Sequence, residues 1–188
     1  SAVLKRNDPR DCYIGKFFPG AKVGTGSPRR LEQLTLINEH LDVKGIRGNI
    51  ATRIKKLEEG KYDAIVLARA GLELLGLEKM ITHTFDFDHM LPAVGQGVIA
   101  IQTRTMSPYT ALIRQINHLD TFYCVLAERT ALKFLDGDCH SAVGILAQVT
   151  GDCITLKAIN YNNMKDCTVT GKILDYKQIG EQVGLAIK

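Results

Sequence analysis

The sequence contains no tryptophan and only five prolines, and aromatic residues make up 6% of it. Surfaces that hold single-stranded nucleic acid stack bases on aromatic side chains set among cations. No basic-aromatic strip of that kind occurs, so nucleic acid is not an expected partner. No apolar run approaches the roughly 20 residues that span a bilayer, so no membrane partner is expected either. Ser1-Ala2-Val3-Leu4-Lys5-Arg6 puts its charges after a very short apolar stretch, which is not the layout of a signal peptide. There is no initiator methionine, and a processed or truncated chain is expected. The five cysteines, Cys12, Cys124, Cys139, Cys153 and Cys167, are odd in number and form no Cys-x-x-Cys pair. That argues against a disulfide framework or a zinc ribbon. A reducing cytoplasm is the expected setting, with most thiols buried as small hydrophobes. His40, His83, His89 and His118 show no ligand spacing, and no metal site is expected.

What is present is an ordinary globular composition, 45% hydrophobic over 188 residues, enough for one large domain or two small ones. The net charge of +4 is unevenly placed. Residues 1–60 hold 12 Lys/Arg against 7 Asp/Glu, and the remainder holds 12 against 13. The early basic excess hints at an anionic ligand, although a solvated basic face would give the same composition.

Residues 1–92 read as alternating strands and helices: strands at Ala2 to Leu4, ending at Lys22-Val23-Gly24, at Leu41 to Ile46 and at Ala64 to Ala68. Helices are predicted at about Pro28 to Glu39, Ile50 to Glu59 and Gly71 to Leu75, and Asp8-Pro9-Arg10-Asp11 reads as a turn or loop. This order predicts a mostly parallel α/β sheet. Leu91 to Gly97 is a connection and Val98 to Gln102 a strand. Helices follow at Pro108 to Ile116 and Asp120 to Leu135, with Asp120 as N-cap. Three strands, Val143 to Thr150, Cys153 to Asn160 and Thr168 to Leu174, with turns at Gly151-Asp152 and Asn162-Asn163, and a helix from Tyr176 complete a small α+β domain with a three-stranded antiparallel sheet.

The strongest physical clue is Thr25-Gly26-Ser27-Pro28-Arg29-Arg30. Ser27 suits an N-cap and Pro28 a first helical position, which puts both arginines in the first turn. The helix dipole disfavours cations there by ~0.3–1 kcal/mol each, so an anion should offset them. Ile46-Arg47-Gly48-Asn49 repeats the logic: Gly48 permits close backbone approach, Asn49 can cap the next helix, and Arg53 lies one turn on, on the same side. Both clusters sit at carboxyl ends of strands, where open α/β sheets bind ligands, and are expected to face one cleft. Forked guanidinium groups suit carboxylates or phosphates. The Gly-Thr-Gly-Ser run lacks both the P-loop ending and the dinucleotide spacing. In the later part, Cys139 lies in the loop Asp136-Gly137-Asp138-Cys139-His140-Ser141, the best position among the five cysteines for a displayed, reactive thiol. From the residues alone, a structural loop cysteine is an equal reading.

Together Leu4 to Asp11, Val23 to Arg30, Gly45 to Arg53, Tyr62 to Gly71, Leu91 to Gly97, Ala127-Glu128-Arg129 and Leu135 to Cys139 resemble the porphobilinogen deaminase family over nearly the whole chain. The resemblance implies a transferase, hydroxymethylbilane synthase, of porphyrin and haem biosynthesis. It condenses four porphobilinogen molecules head to tail, releasing ammonia, to the linear tetrapyrrole hydroxymethylbilane. It also implies a dipyrromethane cofactor joined by a thioether to Cys139, with Arg29, Arg30, Arg47 and Arg53 binding pyrrole carboxylates and Thr25, Ser27, Gly48 and Asn49 adding hydroxyl or backbone contacts. The partners so implied are porphobilinogen and the growing polypyrrole chain, in a protein monomeric at full length.

The family's fold implies a domain of the periplasmic-binding-protein-like type over residues 1–92, the returning strand of a first domain over 93–106, and a C-terminal domain over 107–188 that carries the cysteine. The family's catalytic aspartate lies in a Ser-Leu-Lys-Asp motif that nothing here matches, so no catalytic residue is assigned and the chain is expected to be inactive alone. The returning strand is expected to lack sheet partners and to expose an apolar edge. Asp138 stands where the family commonly has a second glycine, Gly26 where it has a serine, and Glu73-Leu74 where a basic residue often follows Ala-Gly-Leu. The alternative is an α/β solute-binding or ligand-sensing module for a small dicarboxylate, which would need no modified cysteine.

Overall fold

The computed structural model describes residues 2–136 and 141–188. In chain order its elements are β1 (Ala2–Val3), β2 (Asp11–Gly15), β3 (Lys22–Gly24), α1 (Pro28–Ile37), β4 (Asp42–Lys44), α2 (Ile50–Glu58), β5 (Ala64–Ala68), α3 (Arg69–Glu73), β6 (His83–Thr84) and β7 (Ala100–Ile101). There follow α4 (Thr110–Gln115), α5 (Leu119–Phe134), β8 (Val143–Thr150), β9 (Cys153–Asn160), β10 (Lys165–Lys172) and α6 (Tyr176–Ala186). The result is a mixed α/β body with a multi-strand sheet and a separate three-stranded antiparallel sheet.

The larger sheet has the order β4-β3-β5-β2-β6. β5 is its centre. Ile65 and Leu67 point into a cluster with Ile46, Ile54 and Leu72, while Ala64 and Val66 point into another with Val23, Leu34 and Phe85. Alternate side chains of a strand face opposite sides, so an apolar run of five fits a strand covered on both faces.

The sheet is not mostly parallel as expected. β3 runs parallel to β4 and β5, but β2 runs antiparallel to both β5 and β6. The difference lies in β2, whose first residue, Asp11, reads as a turn in sequence but is fully buried at the strand's start. β1 does not join this sheet. It pairs antiparallel with β7, Ala2 opposite Ile101 and Val3 opposite Ala100, and the backbone bonds Leu4 N to Ile99 O and Asn7 N to Gly97 O extend the ribbon. The strand at β7 therefore has a partner, contrary to expectation. The helix at α5 is capped by His118, whose Nδ1 accepts from Thr121 N, and Asp120 lies in its first turn instead of at the cap.

The antiparallel sheet β8-β9-β10 packs one face on α5 and α6. Ala127, Ala131, Ile145, Leu156, Ala158 and Val183 form its core. α5 and α6 meet through small residues: a Cβ on Gly180 would lie 2.7 Å from Ala127 O, and one on Gly184 would strike Ala131 O.

The two bodies are fastened through the connection 91–97. The buried Glu128 of α5 accepts from Arg6 Nη1 at 2.5 Å, Gly95 N at 2.7 Å and Ala147 N at 2.9 Å, gathering the N-terminal segment, the connection and β8 on one carboxylate. Ile145 N donates to Pro92 O, and Tyr161 OH donates to Gln33 Oε1 of α1. A charge buried with several donors is satisfied, but removing the donors would leave it stranded. The tight α5–α6 contact makes a direct prediction. Gly184→Ala should destabilise the protein by ~1–3 kcal/mol through overpacking against helix backbone, read as a lower urea midpoint with little change in helical content by circular dichroism.

Candidate functional site

The two strand-to-helix turns are laid side by side because β3 and β4 are adjacent and parallel. Thr25 N donates to Lys44 O and Ile46 N to Thr25 O, which ties the loops after both strands together. Thr25 is buried and its Oγ1 accepts from Ser27 N at 3.2 Å. Ser27 stands at the N-cap of α1 and Pro28 follows it, as expected, but the serine side chain makes no cap hydrogen bond. Asn49 does cap α2, its Oδ1 accepting from Thr52 N at 2.9 Å. Gly48 has φ +116°, and a side chain there would run into Thr52 only 2.7 Å away, so both conformation and space require glycine.

Arg29 and Arg30 have their counter-charge within the chain. Both are buried and both meet Asp11: Arg29 Nη1 at 2.8 Å from Oδ2, Arg30 Nη2 at 2.7 Å from Oδ1. Arg30 Nε also donates to Asp11 Oδ1, whereas the Arg29 contact to Oδ2 is electrostatic rather than an aligned hydrogen bond. Arg30 Nη1 donates to Val66 O, and Arg29 Nη1 to Leu91 O at 2.5 Å. Gln96 closes the group, donating to Asp11 Oδ1 and Pro9 O and accepting from Arg29 at 3.4 Å. The anion required by two arginines in a first helical turn is thus supplied from within the chain. The dipole argument for an external anion at that turn does not hold.

Arg47 and Arg53 are different. With Gly26, Gly45, Ile46, Gly48 and Lys56 they line a depression of about 600 Å³ that contains no acidic side chain. Arg47 is exposed and Arg53 half-buried, and among the described residues neither has a carboxylate partner. Arg53 Nε donates to Gly48 O at 2.8 Å and Lys56 Nζ to Arg47 O at 2.9 Å, so backbone carbonyls hold these cations in place without neutralising them. Burial, and then the charge of nearby Arg30, push the Arg53 guanidinium below its ordinary value. This is the response of a cation in a region short of negative charge.

A second cavity, of about 640 Å³, adjoins through Ser27, next in sequence to Gly26 of the first. Arg29, Ala93 and Val94 line it together with Arg129, Leu132 and Lys133 of α5. The residues expected to share one cleft are distributed over both, Arg47 and Arg53 on the first and Ser27 and Arg29 on the second. Arg29 Nε is buried without a hydrogen-bond partner. Arg129 and Lys133 were not singled out as site residues from sequence. Arg129 did fall within Ala127-Glu128-Arg129, but two cations on an exposed helix face carry no local signal.

Cys139 lies outside the described residues, as do Gly137, Asp138 and His140. Asp136 and Ser141, which flank them in sequence, both line the larger cavity. Burial pushes the Cys12 and Cys124 thiols up to about 12, which keeps them protonated and unsuited to nucleophilic chemistry. Cys153 is exposed on β9 and Cys167 half-buried on β10.

Burial by itself would raise the Asp11 carboxyl, but Arg30 and Arg29 with the hydrogen bonds around it outweigh burial and hold it below its ordinary 3.8. Burial acts on Arg29 in the opposite sense, yet a guanidinium stays protonated throughout, so the direction at Asp11 is the one that governs. A carboxylate held low in the folded state takes up its proton first in the unfolded chain, so its stabilisation is present above about pH 4 and lost as pH falls below that. Asp11→Asn should cost about 3–5 kcal/mol by leaving two buried arginines uncompensated. A series of urea midpoints against pH should show the parent losing stability below pH ~4 while the variant, already weaker, loses less over the same range.

The chain matches two family models. Residues 1–111 match "Porphobilinogen deaminase, dipyromethane cofactor binding domain" and residues 122–188 match "Porphobilinogen deaminase, C-terminal domain". It is 39% identical over 193 residues to a porphobilinogen deaminase of Clostridium botulinum (strain Langeland), covering 99% of this chain and 66% of that protein. It is 44% identical over 166 residues to one of Acidithiobacillus ferrooxidans (strain ATCC 53993), covering 84% of this chain and 54% of that protein. The chain spans a little under two thirds of the length of the clostridial relative. The reading as a solute-binding module finds no support in these matches. With the domain models together covering most of its length, the chain belongs to the porphobilinogen deaminase family.

Proposed function

We propose that this chain is the cofactor-holding part of a hydroxymethylbilane synthase, a transferase that condenses four porphobilinogen molecules head to tail, with loss of ammonia, on a dipyrromethane joined to Cys139. The observation that carries the reading is the depression around Arg47, Arg53 and Lys56: three cations left without a carboxylate among the described residues, two of them, Arg53 and Lys56, anchored on backbone carbonyls. Pyrrole acetate and propionate groups are the carboxylates that such a site would take, and forked guanidinium groups can bind them in a bidentate manner.

When bound, the dipyrromethane would supply a pyrrole terminus on which chain growth can start. The rest of the work assigned to this chain is binding and orientation. Arg47 and Arg53 hold carboxylates, Gly48 and Asn49 set the turn that presents them, and Thr25 and Ser27 add hydroxyl or backbone contacts. Arg30, held by Asp11, fixes the start of α1 and keeps positive charge behind Arg53. Arg29 holds the connection through Leu91 O and forms part of the wall of the larger cavity. No proton-transferring group is assigned here.

The same reading makes residues 1–92 a domain of the periplasmic-binding-protein-like type, 93–106 the returning strand of a first domain, and 107–188 the C-terminal domain. It places the protein in the cytoplasm, as a monomer when full length. Supporting the first point are the helices on both faces of the larger sheet and the site at the ends of β3 and β4. Among the described residues no helix is long and apolar enough to cross a membrane.

Intact mass of the denatured chain after incubation with hydroxymethylbilane tests the proposal. The expected result is an increment of four condensed porphobilinogen units, hydroxymethylbilane less one water, since thioether formation releases only the terminal hydroxyl; it should map to Cys139 and be absent in Cys139→Ser, and an increment retained in that variant would overturn the assignment. Arg47→Leu should load about tenfold more slowly or worse, since a charge-assisted hydrogen bond is worth ~1.5–3 kcal/mol, with an unchanged thermal midpoint. Loading at the parent's rate would reduce Arg47 to a surface charge.

A further inference from the structure

A further depression, of about 490 Å³, shares none of its described lining with the Arg47 site or the larger cavity. Its walls come from both bodies: Leu36 and Ile37 from α1, Ile159 from β9, and Met164 and Asp166 from the turn after β9 and from β10. Gln33 and Tyr161 also line it, and these are the residues that fasten the bodies there. Tyr161 OH donates to Gln33 Oε1 at 2.8 Å, and the same oxygen accepts from Leu91 N. The seam between the bodies is thus part of the wall.

Two large apolar side chains on this lining stand in water. Leu36 is 62% exposed and Met164 58%. Met164 also has φ +56°, in the left-handed region that glycine or asparagine fills more easily. A long apolar side chain held in that conformation at the surface recovers nothing from burial. It would recover contact if an apolar group filled the depression, and a flexible thioether adapts well to such a group. Ile37 and Ile159 add half-buried apolar surface beside it.

The charges are lopsided. Among the described residues the lining has no lysine or arginine; its charged groups are Asp88 and Asp166. Asp88 is taken by Lys157, whose Nζ donates to Oδ1 at 2.9 Å. Asp166 stands opposite Ile159 in the β9–β10 register, so the two share a face of the sheet. No ion pair engages Asp166 among the described residues. In a chain of net charge +4, one uncompensated carboxylate beside apolar surface matches a single cation with an apolar body and repels an anion.

We propose that this depression binds an amphiphilic monocation, an aryl- or alkylammonium, with its ammonium on Asp166 and its body against Leu36, Ile37, Ile159 and Met164. Such a ligand touches both bodies and stabilises their packing on each other. Nothing in this depends on the pyrrole-carboxylate reading, since the residues and the sign of charge both differ.

The test is a titration of the isotope-labelled 188-residue chain with phenethylammonium, followed by amide chemical shifts, with phenethyl alcohol and phenylacetate as neutral and anionic comparators. Saturable shifts are expected at Leu36, Ile37, Ile159 and Met164. The ammonium should bind about tenfold more tightly than the alcohol, and phenylacetate should leave these amides unmoved. Asp166→Asn, at an exposed position, should remove the preference for the ammonium and leave the alcohol's affinity unchanged. Met164→Gly should weaken both ligands. Saturating phenethylammonium should raise the thermal midpoint of the parent more than that of Asp166→Asn. Arg47→Leu should bind as the parent does, which keeps the outcome separate from that of the functional reading. Shifts that are scattered or fail to saturate would overturn the proposal, as would an ammonium preference that survives Asp166→Asn or unchanged affinity for both ligands in Met164→Gly. A concentration-dependent dimer that shields Leu36 and Met164 would also overturn it, because a second copy would then fill the depression.

Discussion

The carboxylate of Asp11 is the constraint on which the rest of the arrangement depends. It is fully buried, and it holds two arginines that sit in the first turn of a helix, where the dipole opposes them. A buried carboxylate alone would be costly, as would each arginine alone; together, with Gln96 and the carbonyls of Val66 and Leu91, most of their polar atoms are partnered. One group of contacts therefore fixes the start of β2, the start of α1, the end of β5 and the connection to the second body.

That arrangement divides the arginines by task. Arg30 is consumed by structure and acts at a distance, its charge making the surroundings of Arg53 less hospitable to a further cation and more so to an anion. Arg47 is exposed and Arg53 half-buried, the latter steadied by Gly48 O, and neither meets a carboxylate among the described residues. Arg29 stands between the two cases, paired with Asp11 yet part of a cavity wall. A row of four arginines that looks uniform in sequence is thus two structural groups and two left without a carboxylate.

The second buried carboxylate, Glu128, does for the C-terminal body what Asp11 does for the first. By accepting from Arg6, Gly95 and Ala147 it sets α5 against the connection. The same helix turns Arg129, the next residue, toward the larger cavity. Position at the site is therefore inherited from a buried neighbour one step along the helix, so changes at Glu128 would move cavity residues as well as weaken the fold.

Local sequence was sufficient for much of this protein. The run Ala64 to Ala68 is a strand buried on both faces because it is apolar at every position. Asn49 is a cap because its side chain can reach Thr52 N. The three strands past residue 142 follow from alternation and turn residues. The motifs carried the family, and glycine at 48 carried its own backbone conformation. Tertiary structure alone decided the rest, for one physical reason: charge compensation acts between residues distant in the chain. Asp11 reads as a turn residue until it is seen between Arg29 and Arg30, 18 and 19 positions away. Nothing local distinguishes those arginines from Arg47 and Arg53. The antiparallel run of β2 and the ribbon that joins β1 to β7 are likewise settled only when burial brings the partners together.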